Sequence, residues 1–350
     1  MEKKKLGLNM MKNNPSDILV LTSDEVLTQI EGEEKKLIEI VKNAYIEHSK
    51  GESSLPFSSF LRFPNNTKNR IIALPAYIKN STQEIAGIKW VASFPNNIKQ
   101  GIDRASASLI LNDTSTGRPY CFMEASHINA HRTAASAALA SQLLSRVNNT
   151  SIALIGCGPI NYHILRYVML VNPSITTIYI YDRELSRAKK FSAICEGDFG
   201  FKPIVCSSFT DAASNTKLIS LATNAGEPWI DGSYTFSPDS LILHISLRDI
   251  KPKTILSSYN VVDDGHHVNR EKTSIELSYQ QRAGEGPLMN EIGKLLTDPH
   301  FAANNVKQPI IYSPFGLGVL DISVGKYLYE KAIKNGSGTL IKNFHKESNA

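Results

Sequence analysis

At 350 residues, with 42% hydrophobic and 20% charged residues, the chain is long enough for two globular domains that need no disulfide or metal staple. Its net charge of +5 comes from basic residues that are scattered apart from Lys3–Lys5, so a nucleic-acid role has no support. No run approaches the roughly 18 apolar residues of a membrane span, and the 4 cysteines (Cys121, Cys157, Cys195, Cys206) lack C-x-x-C and zinc spacings, as expected of reduced thiols in a cytoplasmic protein.

Residues 1–16 are polar and read as a partly disordered terminus without a signal peptide. Thr22 and Glu25 have capping-box spacing for a short helix that Gly32 interrupts. Leu37, Val41 and Ala44/Tyr45 predict a second helix, with Gly51 just beyond its end. Strands are expected at Ser59–Phe63, Arg70–Ile78, Ile85–Ser93, Ala107–Leu111 and Tyr120–Met123, so the first third reads as α+β around a mostly antiparallel sheet. Arg62 and Lys89 interrupt apolar surroundings within these strands. Taken singly, each reads as a long side chain snorkelling to solvent at a strand edge. Residues 125–146 predict one long helix carrying His127, His131, Arg132, Thr133 and a run of small residues. The two histidines are i, i+4 but lack a third ligand, so no metal site is expected.

The centre of the chain is a strand, a glycine turn, a helix, a second strand and an acid. Ser151–Ile155 is a short apolar run, Gly156-Cys157-Gly158 follow, and Ile164, Leu165 and Val168 mark the helix. Thr177–Tyr181 is the second strand and ends at Asp182, with Arg183 beside it. A pyrophosphate needs bare backbone N–H groups at a helix N-terminus, which Gly156, Gly158 and Ile160 would supply, with Pro159, which has no N–H, opening the helix beside it. A carboxylate at the second strand's tip suits a ribose diol and disfavours a 2′-phosphate, pointing to NAD. Asn161 occupies the third glycine position of the fingerprint. Strand–helix alternation continues: a helix over 184–196, then strands Pro203–Cys206, Leu218–Ala222, Leu241–Ile245, Asn260–Val262 and Pro309–Tyr312. Ligands of such sheets bind beyond the strands' carboxyl ends, which adds Thr223, Asn224, Ser246 and Asp249 to the candidates. Asp249 reads equally well as a turn or cap residue. Asp263-Asp264 and His266-His267 read as turn chemistry. Gly318 precedes a final helix, Val319–Lys334, with no place in the nucleotide domain's pattern.

At Gly87-Ile88-Lys89-Trp90, His131-Arg132-Thr133-Ala134-Ala135, Gly156-Cys157-Gly158 and Arg248-Asp249 the chain resembles the ornithine cyclodeaminase/mu-crystallin family over nearly its whole length. Arg70–Pro75, Ile110–Asp113, Met123–Ser126, Val261–Asp264 and Asn269–Lys272 look like the branch that oxidises N-((2S)-2-amino-2-carboxyethyl)-L-glutamate. The resemblance implies an α/β chain: a Rossmann dinucleotide-binding domain plus an α+β substrate and dimerisation domain formed by both chain ends. The boundaries expected are 17–130 with 319–345 for the substrate domain and 131–318 for the NAD domain. It also implies a homodimer, NAD as cofactor, and a small amino-dicarboxylate as substrate. Arg62, Lys89 and Arg132 would hold substrate carboxylate, Asp249 and Lys89 would serve catalysis, and Arg132-Thr133 and Gly318 would lie near the cofactor. The expected reaction yields L-2,3-diaminopropionate, 2-oxoglutarate and NADH for siderophore or peptide antibiotic synthesis. The rival readings are an ornithine cyclodeaminase or imino-acid reductase, and a mu-crystallin-like binding protein. The loop Arg248-Asp249-Ile250-Lys251-Pro252 departs from the cyclodeaminase pattern Asp-x-Pro-Gly-Lys.

Overall fold

The computed structural model describes residues 14–346 except Asp231, Ser233 and 282–285. Most of the N-terminal stretch expected to be disordered, residues 1–13, lies outside the described residues. The chain forms two units, one running up to Arg132 and resuming at Leu317, the other spanning Thr133–Gly316.

The first unit opens with β1 (Ile18–Leu21), α1 (Ser23–Ile30) and α2 (Glu34–Ser49). The capping box forms as its spacing predicts: Glu25 accepts from the Thr22 backbone N–H at 2.8 Å and from its hydroxyl at 2.9 Å. Next come β2 (Ser53–Ser54), β3 (Ser59–Phe63), β4 (Asn66–Lys79), β5 (Glu84–Ser93), β6 (Ala105–Asn112) and β7 (Pro119–Glu124), then the start of α3 (Ser126–Leu144). The C-terminal part adds α6 (Gly318–Asn335) and β16 (Thr339–Ile341). The sheet runs β16-β1-β7-β6-β5-β4-β2, with β3 paired to β4. β1 is parallel to β7 and the other pairs are antiparallel.

Side chains alternate across a strand, so the registers sort this sheet into two faces. Leu74, Lys89, Leu109 and Met123 are opposite one another and share a face. α6 lies on that face: a Cβ at Gly318 would come within 3.0 Å of the Leu74 carbonyl, and one at Gly325 would collide with Leu109. Leu61, Trp90 and Phe122 project from the other face and are 49%, 46% and 40% exposed.

The second unit is a parallel sheet. It uses β8 (Ser151–Ile155), β9 (Thr177–Tyr181), β10 (Ile204–Val205), β11 (Leu218–Leu221), β12 (Leu241–His244), β13 (Tyr259–Val262), β14 (Met289–Glu291) and β15 (Ile310–Tyr312). Their order is β10-β9-β8-β11-β12-β15-β13-β14. β8 leads into α4 (Pro159–Val171), and β9 into α5 (Leu185–Phe199). Chain order runs outward from β8 through β9 to β10, then resumes on β8's other side at β11. That reversal is the topological switch point where dinucleotides bind in doubly wound sheets. The four residues of β11 and of β12 are all buried, as strands covered on both faces require.

Candidate active site

The registers Ile155↔Tyr181, Leu221↔Ile155 and Leu221↔His244 bring the carboxyl ends of β8, β9, β11 and β12 level. Gly156, Asp182, Thr223 and the 245–249 loop therefore leave the sheet along one edge. Gly156 has φ +93°, and a Cβ there would meet the Ala222 carbonyl at 2.5 Å, so only glycine fits between the two strands. A Cβ at Gly158 would meet nothing within 4 Å. This open space lies at the N-terminus of the 13-residue α4, with Pro159 at its first turn, and suits a diphosphate. Asp182 braces the turn: it accepts the Cys157 N–H at 2.9 Å and the Glu184 N–H at 2.9 Å. The Cys157 thiol is pushed up to about 12 by burial and then by the Asp182 charge, so it is no nucleophile.

Asn161 has a role that sequence spacing does not reveal. It is fully buried, donates to the Ile155 and Gly156 carbonyls at 3.0 and 2.7 Å, and accepts from Ser220 at 2.7 Å. Where the fingerprint has a third glycine for close packing, this chain ties the turn to β8 and β11 with a side chain.

Asp249 is fully buried in the loop after β12. Its Oδ1 accepts from the Thr223 hydroxyl and, at 2.8 Å, from Trp229 Nε1. Its Oδ2 accepts from the Ser246 hydroxyl and lies 3.4 Å from His244 Nε2. The Asp249 N–H donates to the same His244 nitrogen at 3.2 Å. Burial works to raise the Asp249 pKa. The His244 contacts and the Ser246 and Thr223 hydroxyls outweigh it and bring the group down to about 2. Leu247, inside the loop, holds φ +66°, a strained conformation for a branched side chain. Asp249 is thus a fixed anion whose oxygens are committed to several donors, which makes it a weak proton acceptor. The cap-or-turn reading leaves this network unexplained. Neither Trp229 nor His244 carried a signal in the sequence.

In the first unit, Lys89 is 1% exposed. Its ammonium lies 2.7 Å from Asp321 Oδ2 and donates to Asn129 at 2.8 Å. Arg132 donates to Asp321 Oδ1 at 3.1 Å and to the same Asn129 oxygen at 2.8 Å. The snorkelling reading of Lys89 is therefore corrected: β5 is an inner strand, and the amine turns inward under α6 to a carboxylate. Burial lowers the Lys89 pKa, Asp321 offsets part of that and Arg132 adds to it, leaving it at about 8. Asp321 was legible in principle. It interrupts the apolar face of the final helix, and an acid in a buried stripe is rare unless paired.

The other candidates are placed as follows. Arg62 is exposed on the edge strand β3, its guanidinium 5.4 Å from the Phe60 ring centroid, and there the snorkelling reading holds. Thr133 is buried next to Arg132 in α3. Ser246 also donates to the Leu221 carbonyl at 3.0 Å, and Thr223 accepts the Ala225 N–H at 3.1 Å. Asn224 and Arg183 are exposed, while Ile160 is half-buried. Gly318 sits against β4, which explains its small size by packing. Asp264 caps a short helix through the His267 N–H at 2.8 Å, and Asp263 accepts the Phe315 and Gly316 N–H groups at 2.8 and 2.7 Å, the turn chemistry expected of the pair. His127 contacts the Ser23 hydroxyl at 3.0 Å.

The family profile described as the ornithine cyclodeaminase/mu-crystallin family matches residues 17–336. An N-((2S)-2-amino-2-carboxyethyl)-L-glutamate dehydrogenase of Staphylococcus aureus is 28% identical over 313 residues, 87% of this chain and 92% of that protein. A Delta(1)-pyrroline-2-carboxylate reductase of Bacillus thuringiensis is 26% identical and covers 83% of this chain and 87% of its own. Among solved structures, the Thermococcus litoralis Delta(1)-pyrroline-2-carboxylate reductase in complex with NADH and L-proline superposes with TM-score 0.84 at 26% identity, covering 92% of this chain and 99% of that one. An archaeal alanine dehydrogenase dimer with bound NAD gives TM-score 0.79 at 25% identity, covering 93% and 99%.

Proposed function

The chain belongs to the ornithine cyclodeaminase/mu-crystallin family, and within it we propose that the protein oxidises N-((2S)-2-amino-2-carboxyethyl)-L-glutamate with NAD. The products are L-2,3-diaminopropionate, 2-oxoglutarate and NADH. The observation that carries this reading is the Lys89–Asp321–Arg132 cluster. Buried Lys89 and Arg132 share one carboxylate, which holds the guanidinium for bidentate contact with a substrate carboxylate, while burial keeps the amine close to deprotonation.

Each residue has a distinct task. Gly156, Gly158 and the start of α4 hold the NAD diphosphate, and Asp182 takes the ribose diol. NAD supplies the hydride acceptor for the glutamate Cα–H. Arg132 anchors the α-carboxylate and so fixes which face of Cα is presented. The neutral fraction of Lys89, whose pKa is held at about 8, takes the proton from the secondary amine as the C=N bond forms. Water then adds across C=N. As the C–N bond breaks, Lys89 gives its proton to the nitrogen and takes up the proton of the carbinol hydroxyl, leaving the amine of diaminopropionate, the ketone of 2-oxoglutarate and one proton that passes to solvent. Asp249 holds Thr223, Trp229 and Ser246 in place as a fixed negative charge.

Incubation with NAD and the conjugate, followed by mass spectrometry, tests the reading. Equal amounts of diaminopropionate and 2-oxoglutarate are expected, one of each per NADH; unchanged conjugate contradicts it. The similarity to two pyrroline-2-carboxylate reductases favours one rival, reduction of a cyclic imine by NADH to an amino acid such as proline. Consumption of NADH on adding the cyclic imine, with no NADH formed from the conjugate, selects that rival.

A homodimer is part of the proposal. Leu61, Trp90 and Phe122 lie on the sheet face opposite α6, where a second copy would bury them. A relative of the same fold is described as a dimer.

A further inference from the structure

Arg118 and Lys326 line a cavity in the first unit that shares no residue with the Lys89–Asp321–Arg132 cluster. Its volume is about 410 Å³, in the range of small-ligand sites. The turn joining β6 to β7, one side of α6, and the paired strands β1 and β16 build it. The walls are fastened to one another. The Asp113 N–H donates to the Arg118 carbonyl at 2.9 Å and closes the turn. Beyond β16, the Asn343 N–H donates to Asp17 Oδ1 at 2.9 Å, and the His345 ring contacts the Pro119 carbonyl at 2.9 Å. On α6, Lys326 Nζ lies 5.5 and 5.3 Å from the Tyr120 and Tyr329 ring centroids, which are 4.8 Å apart. Tyr329 is two turns or more beyond Asp321, about 12 Å along the helix, so the cavity is separate from the cluster that Asp321 holds.

The charged residues of the lining are Arg118, Lys326, Asp17 and Asp113, two of each sign. Opposite charges that share a cavity can neutralise one another as ion pairs, and these do not. Lys326 pairs instead with Glu330, at 3.3 Å on the same helix and outside the lining. The half-buried Arg118 guanidinium meets no acceptor among the described residues. Asp113 Oδ1 accepts the Ser115 and Thr116 hydroxyls at 2.6 and 2.8 Å, which hold this carboxyl charged, at about 2. Its Oδ2 and that of Asp17 meet no donor among the described residues, and neither Tyr120 nor Tyr329 uses its hydroxyl there. A simple anion would be opposed by the two carboxylates, and a simple cation by Arg118 and Lys326. A molecule carrying both charges satisfies all four groups.

We propose that this cavity is a second binding site, which takes a free zwitterionic α-amino acid. Arg118 holds the carboxylate through its fork, Asp17 and Asp113 hold the ammonium, and the Tyr120 and Tyr329 rings offer the side chain an apolar wall. The site is independent of the reaction proposed above.

Thermal unfolding of the full-length protein with each standard L-amino acid in turn is the first measurement, and at least one raises the wild-type Tm. Calorimetry with that amino acid then compares wild type with Arg118→Met and Asp17→Asn. Affinity falls about tenfold or more in each variant, which loses a charge-assisted contact, while NAD affinity stays at the wild-type value. Where a variant does not fold, Arg118→Lys carries the comparison: it keeps the charge, loses the fork, and weakens binding about threefold or more. An affinity unchanged in the variants puts the amino acid elsewhere and overturns the site, as does the absence of any rise in Tm. Amidating or N-acetylating the same amino acid removes one of its charges and weakens binding about tenfold or more, and equal binding of either derivative overturns the zwitterion assignment.

Discussion

Lys89 shows most clearly what one residue contributes. A lysine in a strand of apolar residues is a surface residue by frequency, and the sequence supports no other reading of it alone. Its burial beneath α6 and its pairing with Asp321 are tertiary facts. They give a proton carrier with a pKa of about 8, against 10.5 for an ordinary lysine. We predict that log(kcat/KM) for oxidation rises with pH through about 8 and that residual activity of Lys89→Met lacks this limb. Asp249→Asn should lower turnover about a hundredfold by loosening the loop, yet keep the limb, since a group held at about 2 does not titrate there. A pH–rate profile of both variants decides the division of labour. Asn161 gives a second test. Asn161→Gly restores the strict fingerprint but removes three hydrogen bonds inside the turn. It should destabilise the protein by about 1–3 kcal/mol and weaken NAD, measured by urea unfolding with and without cofactor.

Among the elements, the glycine turn and α6 were legible for different reasons. The turn is local: its strand, glycines, helix and acid follow one another in the chain, and each has a composition that fits only one use. α6 was legible as a helix, and its exclusion from the nucleotide domain's alternation marked it as belonging elsewhere. β1 and β16 escaped notice because four and three residues carry too little pattern, although β1 sits inside the first sheet between β16 and β7. α6 also carries the charge that makes burial of Lys89 and Arg132 tolerable. Asp321→Asn leaves two buried cations without their carboxylate and should cost about 3–5 kcal/mol by chemical denaturation. The Lys89 pKa is depressed on folding, so the unfolded chain binds more protons between about 8 and 10.5, and wild-type stability rises with pH across that window.

At the scale of the whole molecule, the fold class was readable because two different patterns share one chain. Antiparallel strands with turn-rich connections come first, then strand–helix alternation, then a helix that fits only the first part. The substrate was not readable in the same way. Lys89, Arg132 and Asp321 lie on β5, α3 and α6, far apart in the chain, and only the fold brings them together. The open face bearing Trp90 and Phe122 leads to a prediction about assembly. Trp90→Glu with Phe122→Glu should convert a dimer to a monomer in sedimentation, and a monomeric wild type would remove the dimer from the account. The central claim is tested most directly by initial rates of NADH formation with the aminocarboxyethyl-glutamate conjugate, L-alanine, L-proline and L-ornithine side by side. The account predicts the highest kcat/KM for the conjugate, with one NADH per 2-oxoglutarate; preference for a one-ended amino acid, or turnover of ornithine without net NADH, would contradict it.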